Sequence, residues 1–126
     1  MIKGIDTGKK GERLALLYLR KEGYRIIETN YTSRQGEIDI ISSDKGCISF
    51  VEVRSKATEE FGLPEYTINK RKKNQIQRTA LSYIKRNHLE DRDCRFDVVC
   101  IEDINGRHPR IRLVRDAFEL DTWYRY

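Results

Sequence analysis

The chain of 126 residues has few cysteines and no long apolar run, and each scarcity narrows what it can be. Cys47, Cys94 and Cys100 are odd in number and include no CxxC pair, which argues against the disulfide framework of a small secreted domain. Their spacing relative to His88 and His108 does not suit zinc, and Cys47 and Cys100 read as reduced, half-buried residues. No stretch approaches the roughly 18 to 20 apolar residues that a membrane span needs. The start, Met1-Ile2-Lys3-Gly4, has neither the apolar run nor the small-residue cleavage site of a secretory signal. Internal repeats, low-complexity tracts and linkers are lacking too. The length suits one domain, because two would each be too small to close a core unaided. Aromatic residues spread from Tyr18 to Tyr126 argue against disorder. The expectation is a soluble, cytoplasmic protein with a single domain over 1–126, its tail from about 119 left unassigned.

Acidic residues are also missing locally. Residues 69–87 hold Lys70, Arg71, Lys72, Lys73, Arg78, Lys85 and Arg86 with no acid, so this segment is +7 in a chain of net +5, and the remainder is −2. One basic stripe on a near-neutral body suits a polyanionic partner. A charge run by itself is better explained by a solvated helix face, so nucleic acid requires a second, independent signal.

Residues 7–22 read as a helix capped by Asp6 or Thr7, with an apolar arc of Ala15, Leu16, Tyr18 and Leu19, ended by a left-handed Gly23. Strands follow at 24–31, 37–43 and 47–55, joined by turns at Ser33-Arg34-Gln35-Gly36 and Asp44-Lys45-Gly46. After a loop with Gly62 and Pro64, a helix over about 67–87 carries the stripe Ile76, Ala80, Tyr83 and Ile84. Strands at 95–102 and 110–115 flank Asn105-Gly106. In the second strand Ile38 and Ile40 oppose Ile41, and in the third Ile48 and Phe50 oppose Val51 and Val53. Strands apolar on both sides are covered on both sides. The long helix is a crossover that lets the strands before and after it run parallel. The order αβββαββ therefore predicts an α/β fold, a three-layer sandwich around a mixed sheet.

Asp39 and Glu52 interrupt the two most apolar strands. A buried carboxylate costs several kcal/mol unless it is paired, protonated or bound to a cation. If the hairpin turns on Lys45-Gly46, cross-strand partners sum to 91, which sets Asp39 opposite Glu52 and Glu37 opposite Arg54. Opposed side chains lie about 5 Å apart at Cβ, suited to sharing one cation. A three-residue turn would instead put the two acids on opposite faces unless a bulge corrected it. Along the third strand Glu52, Arg54 and Lys56 alternate onto one side. Glu12 falls inside the apolar arc of the first helix and so points towards the sheet or its rim. Glu12, Asp39 and Glu52, with Glu37 nearby, could make an oxygen-rich site for Mg²⁺ or Mn²⁺ that activates water at a phosphate. The plainer reading pairs Asp39 with Arg54 and Glu52 with Lys56 as ordinary ion pairs. Glu12, the basic helix and the element order together favour the site.

Gly36-Glu37-Ile38-Asp39-Ile40-Ile41 followed by Phe50-Val51-Glu52-Val53-Arg54 resembles the PD-(D/E)xK nuclease motif. In particular it resembles the small YraN-like family of bacterial proteins, related to Holliday-junction resolvases. The likeness runs through most of the chain: Gly8-Lys9-Lys10-Gly11-Glu12, Ala15, Tyr18-Leu19, Gly23-Tyr24, Asn30-Tyr31 and Arg34, then Lys72, Ile76, Ala80, Tyr83-Ile84, Arg95-Phe96-Asp97-Val98 and Ala117-Phe118. It implies a restriction-endonuclease-like fold with an αβββαβ core, Asp39 and Glu52 as metal ligands and Glu12 as an accessory acid. Arg54 stands where an active nuclease of this superfamily has lysine. Arginine stays protonated, so it can stabilise charge but cannot serve as a general base. Lys56 or Lys72 could stand in.

Two functions follow. One is a Mg²⁺-dependent endonuclease acting on branched or damaged DNA, with Lys70, Arg71, Lys72, Lys73 and Arg78 on phosphates. The other is a nucleic-acid-binding domain that keeps the fold without the chemistry. A pure protein-interaction module would leave the acids in apolar strands unexplained. The resemblance leans towards DNA rather than RNA. Trp123, Tyr124 and Tyr126 could serve a homodimer interface, since resolvases of branched DNA are symmetric dimers, or could cap the sheet.

Overall fold

The computed structural model describes residues 7–56 and 68–119. The loop with Gly62 and Pro64, the aromatic tail residues Trp123, Tyr124 and Tyr126, and the candidate cap Asp6 lie outside the described residues. Helix α1 spans Thr7–Lys21, followed by strands β1 (Arg25–Ser33), β2 (Gly36–Asp44) and β3 (Cys47–Ser55). Helix α2 (Lys70–Arg86), β4 (Cys94–Glu102) and β5 (Arg110–Phe118) complete the order αβββαββ. The five strands form one sheet in sequence order, antiparallel except for the parallel pair β3–β4 that α2 connects.

Local chemistry accounts for the element ends. Gly23, at φ +96°, takes the left-handed conformation that closes α1. Helix α2 starts three residues later than the apolar stripe suggested, because Asn69 caps it: its side chain accepts the Lys72 N–H at 2.9 Å. β5 runs on to Phe118, three residues past the expected end, and Phe118 stacks on Phe96 with ring centroids 4.8 Å apart.

The sheet is buried between two layers. On one face Ile76, Ala80, Tyr83 and Ile84 of α2 pack with Ile38, Ile41, Ile48, Phe50 and Phe96. On the other, Ala15 and Leu19 of α1 pack with Ile40, Val51, Val99 and Ile101. This is the three-layer α/β sandwich. β3 alternates as its sequence indicates, with Ile48 and Phe50 on one side and Val51 and Val53 on the other. β2 does not: Ile38 shares the α2 face with Ile41, while Ile40 faces α1. The reversal coincides with Asn30 of β1, whose left-handed φ of +52° interrupts the pleat between the pairs Thr29–Ile40 and Tyr31–Ile38. Asp39 sits in that break.

The three cysteines are free thiols, Cys100 buried and Cys47 and Cys94 partly so. Among the described residues no helix is long and apolar enough to cross a membrane.

Candidate functional site

The β2–β3 hairpin turns on Lys45 and Gly46, at φ +53° and +88°, the pair of left-handed residues that a two-residue type I′ turn demands. The register that results pairs Asp44 with Cys47 and continues to Ile40 with Val51, each pair summing to 91. Asp39 and Glu52 are next in line. There the two main chains stop pairing, and the Asp39 carboxylate accepts the Val53 N–H at 2.8 Å. The acid thus takes over a donor that a regular ladder would have satisfied with a carbonyl. On its other side β2 pairs with β1, which sets Glu37 opposite Thr32 with an exposed side chain.

Glu52 is only 6% exposed. Burial pushes its carboxyl up to about 7, the neighbouring Asp39 charge and a hydrogen bond with Asp39 add to this, and Lys72 and Arg54 oppose it. Both cations are close: Lys72 Nζ lies 3.8 Å and Arg54 Nη1 3.5 Å from Glu52 Oε2. Glu52 is therefore paired with one cation from its own strand and one from α2. Lys56, at the end of β3, exerts its charge on Cys100. Its main chain ties β3 to the segment after β4, donating to Ile101 O at 2.8 Å and accepting from Ile104 N at 3.0 Å.

Glu12 of α1 faces the same region across a cavity of about 640 Å³ lined by Gly8, Lys9, Glu12, Asn30, Asp39, Val53 and Ser55. Burial raises the Glu12 carboxyl, a 2.9 Å hydrogen bond from Asn30 Nδ2 counteracts this, and the charges of Asp39 and Glu37 raise it further. On the α2 side a second cleft, of about 430 Å³, is lined by Asn69, Arg71, Lys72, Gln75 and Arg78. The basic stripe is split by this geometry. Arg71, Lys72 and Arg78 gather at the cleft, whereas Lys73 Nζ lies over the Phe118 ring at 5.5 Å and Lys70 is exposed at the helix start.

Among the described residues no group of three or more His, Cys, Asp or Glu side chains converges closely enough to cage a metal ion. The site is a two-carboxylate arrangement with a third acid across a cavity. Two adjacent carboxylates, one of them poised near neutrality, share either a proton or a cation. A cleft of about 640 Å³ beside the far end of α2, floored by Phe96 and Phe118, has mixed charge on its rim and no paired acids in contact with cations of this kind.

Two features were not legible as site elements in the sequence. Asn30 holds Glu12, and its signal is that asparagine tolerates the left-handed conformation it adopts here. Gln75 lines the cationic cleft and lies against Gly36, for which nothing in the helical pattern gave a sign.

Residues 11–101 match the model of the family described as "Uncharacterised protein family UPF0102". The chain belongs to this family. It is 43% identical over 115 residues to a UPF0102 protein of Trichlorobacter lovleyi, covering 90% of this chain and 91% of that one. A UPF0102 protein of Syntrophus aciditrophicus is 42% identical over 120 residues, 95% of this chain and 94% of the relative. One of Persephonella marina is 44% identical over 114 residues, 90% of this chain and 94% of the relative. The UPF0102 match contains Glu12, Asp39, Glu52, Arg54 and Lys72 and ends within β4, so every side chain that faces the acid pair lies inside it.

Proposed function

We propose that this UPF0102 protein is a nucleic-acid-binding domain of restriction-endonuclease-like type, acting on DNA as a divalent-metal-dependent phosphodiesterase. The observation that carries the reading is the approach of Lys72 Nζ to within 3.8 Å of Glu52 Oε2. The lysine missing from β3, where Arg54 stands, is thereby supplied to the acid pair by α2. Asp39 and Glu52 would hold Mg²⁺ or Mn²⁺. Two carboxylates fit such an ion, which keeps several waters and takes its remaining ligands from substrate phosphate. Bound there, the cation would neutralise charge on the phosphate and lower the pKa of its water.

The chain's own residues supply the rest. Asp39 is fixed by the Val53 N–H, which orients its carboxylate beside Glu52. Lys72, an ammonium 3.8 Å from Glu52, would stabilise phosphate charge beside the acids. Arg54 contributes fixed positive charge on the same side. Glu12 lies across the cavity from Asp39 as an accessory acid held by Asn30.

A second reading has its own observation. Arg54 already pairs with Glu52 at 3.5 Å, so two cations neutralise the acid without any metal, as a binding domain without chemistry would have it. One experiment separates the two. Labelled four-way-junction, single-stranded and linear DNA would be incubated with the protein in Mg²⁺, Mn²⁺ or EDTA, beside Asp39→Ala, Glu52→Ala and Lys72→Ala. Metal-dependent cutting abolished by all three substitutions is expected. Salt-sensitive binding without cutting, unchanged by Asp39→Ala, would establish the binding domain instead. A metal-induced rise in melting temperature, present in the native chain and lost in Asp39→Ala, tests the ligands independently of activity.

A further inference from the structure

We infer that the cleft on the α2 side of the acid pair binds a second nucleic-acid phosphate, adjacent to the one that would lie at Asp39 and Glu52. This rests on the nucleic-acid reading above and extends it to the minimal substrate. The cleft, about 430 Å³, is lined among the described residues by Arg71, Lys72 and Arg78 with the amides Asn69 and Gln75, none of them an acid. Guanidinium forks and amide donors are the groups that recognise phosphate oxygens.

The lining is held in place from three sides. Asn69 accepts the Lys72 N–H at 2.9 Å, and the Lys72 ammonium is anchored 3.8 Å from Glu52. Gln75 lies across Gly36 so closely that a Cβ there would stand 2.6 to 2.7 Å from three of its side-chain atoms. Only a glycine leaves room for it, and Gly36 has a φ of +146° besides. A preorganised lining loses less side-chain entropy when a ligand binds.

Spacing assigns the two ends of the cleft to two different phosphates. Arg78 lies six residues beyond Lys72, about 9 Å along the helix axis at 1.5 Å per residue. The Lys72 end of that span is tied to Glu52 at 3.8 Å. Lys72 reaches the acid pair, so Arg78 is free for the neighbouring linkage. Among the described residues the cavity on the α1 side is lined by the acids Glu12 and Asp39 with Lys9 as its one cation, a weaker draw for an anion. The site is therefore polar in direction, accepting an extra phosphate on one side of the linkage only.

The test uses the full chain in Ca²⁺, a cation that oxygen ligands hold and that lets the linking phosphate sit at Asp39 and Glu52, with three small probes: thymidylyl-thymidine, its 5′-phosphorylated form and its 3′-phosphorylated form. Binding is followed through the NMR signals of the arginine side chains. One of the two phosphorylated dinucleotides is expected to bind about tenfold more tightly than the unphosphorylated one, as a charge-assisted hydrogen bond would give. Arg78→Ala, at an exposed position, should abolish that gain. Equal binding of all three, an equal gain from both ends, or a gain that survives in both Arg78→Ala and Arg71→Ala would overturn the second site. Those outcomes leave DNA binding itself intact. Failure to bind either the dinucleotides or long DNA would instead remove the nucleic-acid reading and this inference with it.

Discussion

Glu52 illustrates how one residue can work against stability in the service of a site. Its carboxyl, at about 7 in the folded protein against an ordinary 4.5, holds its proton more tightly when folded than when unfolded. Below 4.5 both states are protonated and the group contributes nothing to pH dependence. Stability then declines as pH rises from 4.5 to about 7 and stays reduced above it. Glu52→Gln removes that decline. In EDTA the variant should gain on the order of 3 kcal/mol over the native chain between pH 4.5 and pH 8, since each unit is worth about 1.4 kcal/mol. Urea titrations at the two pH values measure it, and a difference independent of pH would contradict the burial argument.

Asp97 is the opposite case at the same scale. It is fully buried, yet its oxygens accept from Tyr24 Oη at 2.7 Å, Ser49 Oγ at 2.5 Å, Arg95 Nε at 2.9 Å and the Asp116 N–H at 2.8 Å. Burial first, then the bond to Asp97, pushes the Tyr24 hydroxyl up to about 12. Arg95 continues the network to Asp44 at 2.6 Å and holds that carboxyl below its usual range. These residues tie α1's exit to β2, β3, β4 and β5. Asp97→Ala should cost about 3 kcal/mol, because it leaves a guanidinium and three other donors short of a partner. Tyr24→Phe should cost about 1 kcal/mol. Both are read from the denaturation midpoint.

Among the elements, the β2–β3 hairpin decides most. Its register follows from two residues, Lys45 and Gly46, both left-handed. Gly46 has open space where a Cβ would go, so Gly46→Ala tests backbone strain alone and should destabilise by about 1 kcal/mol. Lys45→Asn, better suited to the same conformation, should stabilise slightly. A null result for both would mean that packing, not the turn, sets the register. Helix α2 is the other deciding element. Its apolar stripe seats it on β2 and β3, and its cap at Asn69 fixes the turn from which Lys72 reaches Glu52.

Over the whole molecule, charge is segregated: the cationic face of α2 stands against an otherwise near-neutral body. DNA binding should therefore weaken steeply with salt. If three phosphates are neutralised, the logarithmic slope should be about −2 to −3, and Arg71→Ala should reduce its magnitude by about 1. A slope near zero in fluorescence-anisotropy titrations would rule out the stripe as a phosphate track.

How much of this was legible beforehand depends on the range of the physics involved. Helical and strand periodicity, the left-handed Gly23 and the parallel crossover are local or topological, so the element order and the layered sheet could be read from the chain. The Asp39–Glu52 juxtaposition was legible as one of two alternatives, because a two-residue turn carries its register as far as Ile40–Val51, one pair short of the acids. The side on which Ile38 packs was not, since the pleat reverses at Asn30 through a single dihedral angle. Nor was the choice between Lys56 and Lys72. Lys56 shares the face of Glu52 by strand parity, but Lys72 comes from a helix 20 residues further along, and only the packing of α2 on the sheet brings its ammonium to the acid. The buried network around Asp97 joins residues as far apart as positions 24 and 116, and no local pattern encodes it. The sequence alone determined the layers and the acids within the hairpin, and offered the hairpin register as one of two alternatives. The tertiary structure decided which cations meet those acids and where a ligand has room, because those depend on how separately specified elements rest on one another.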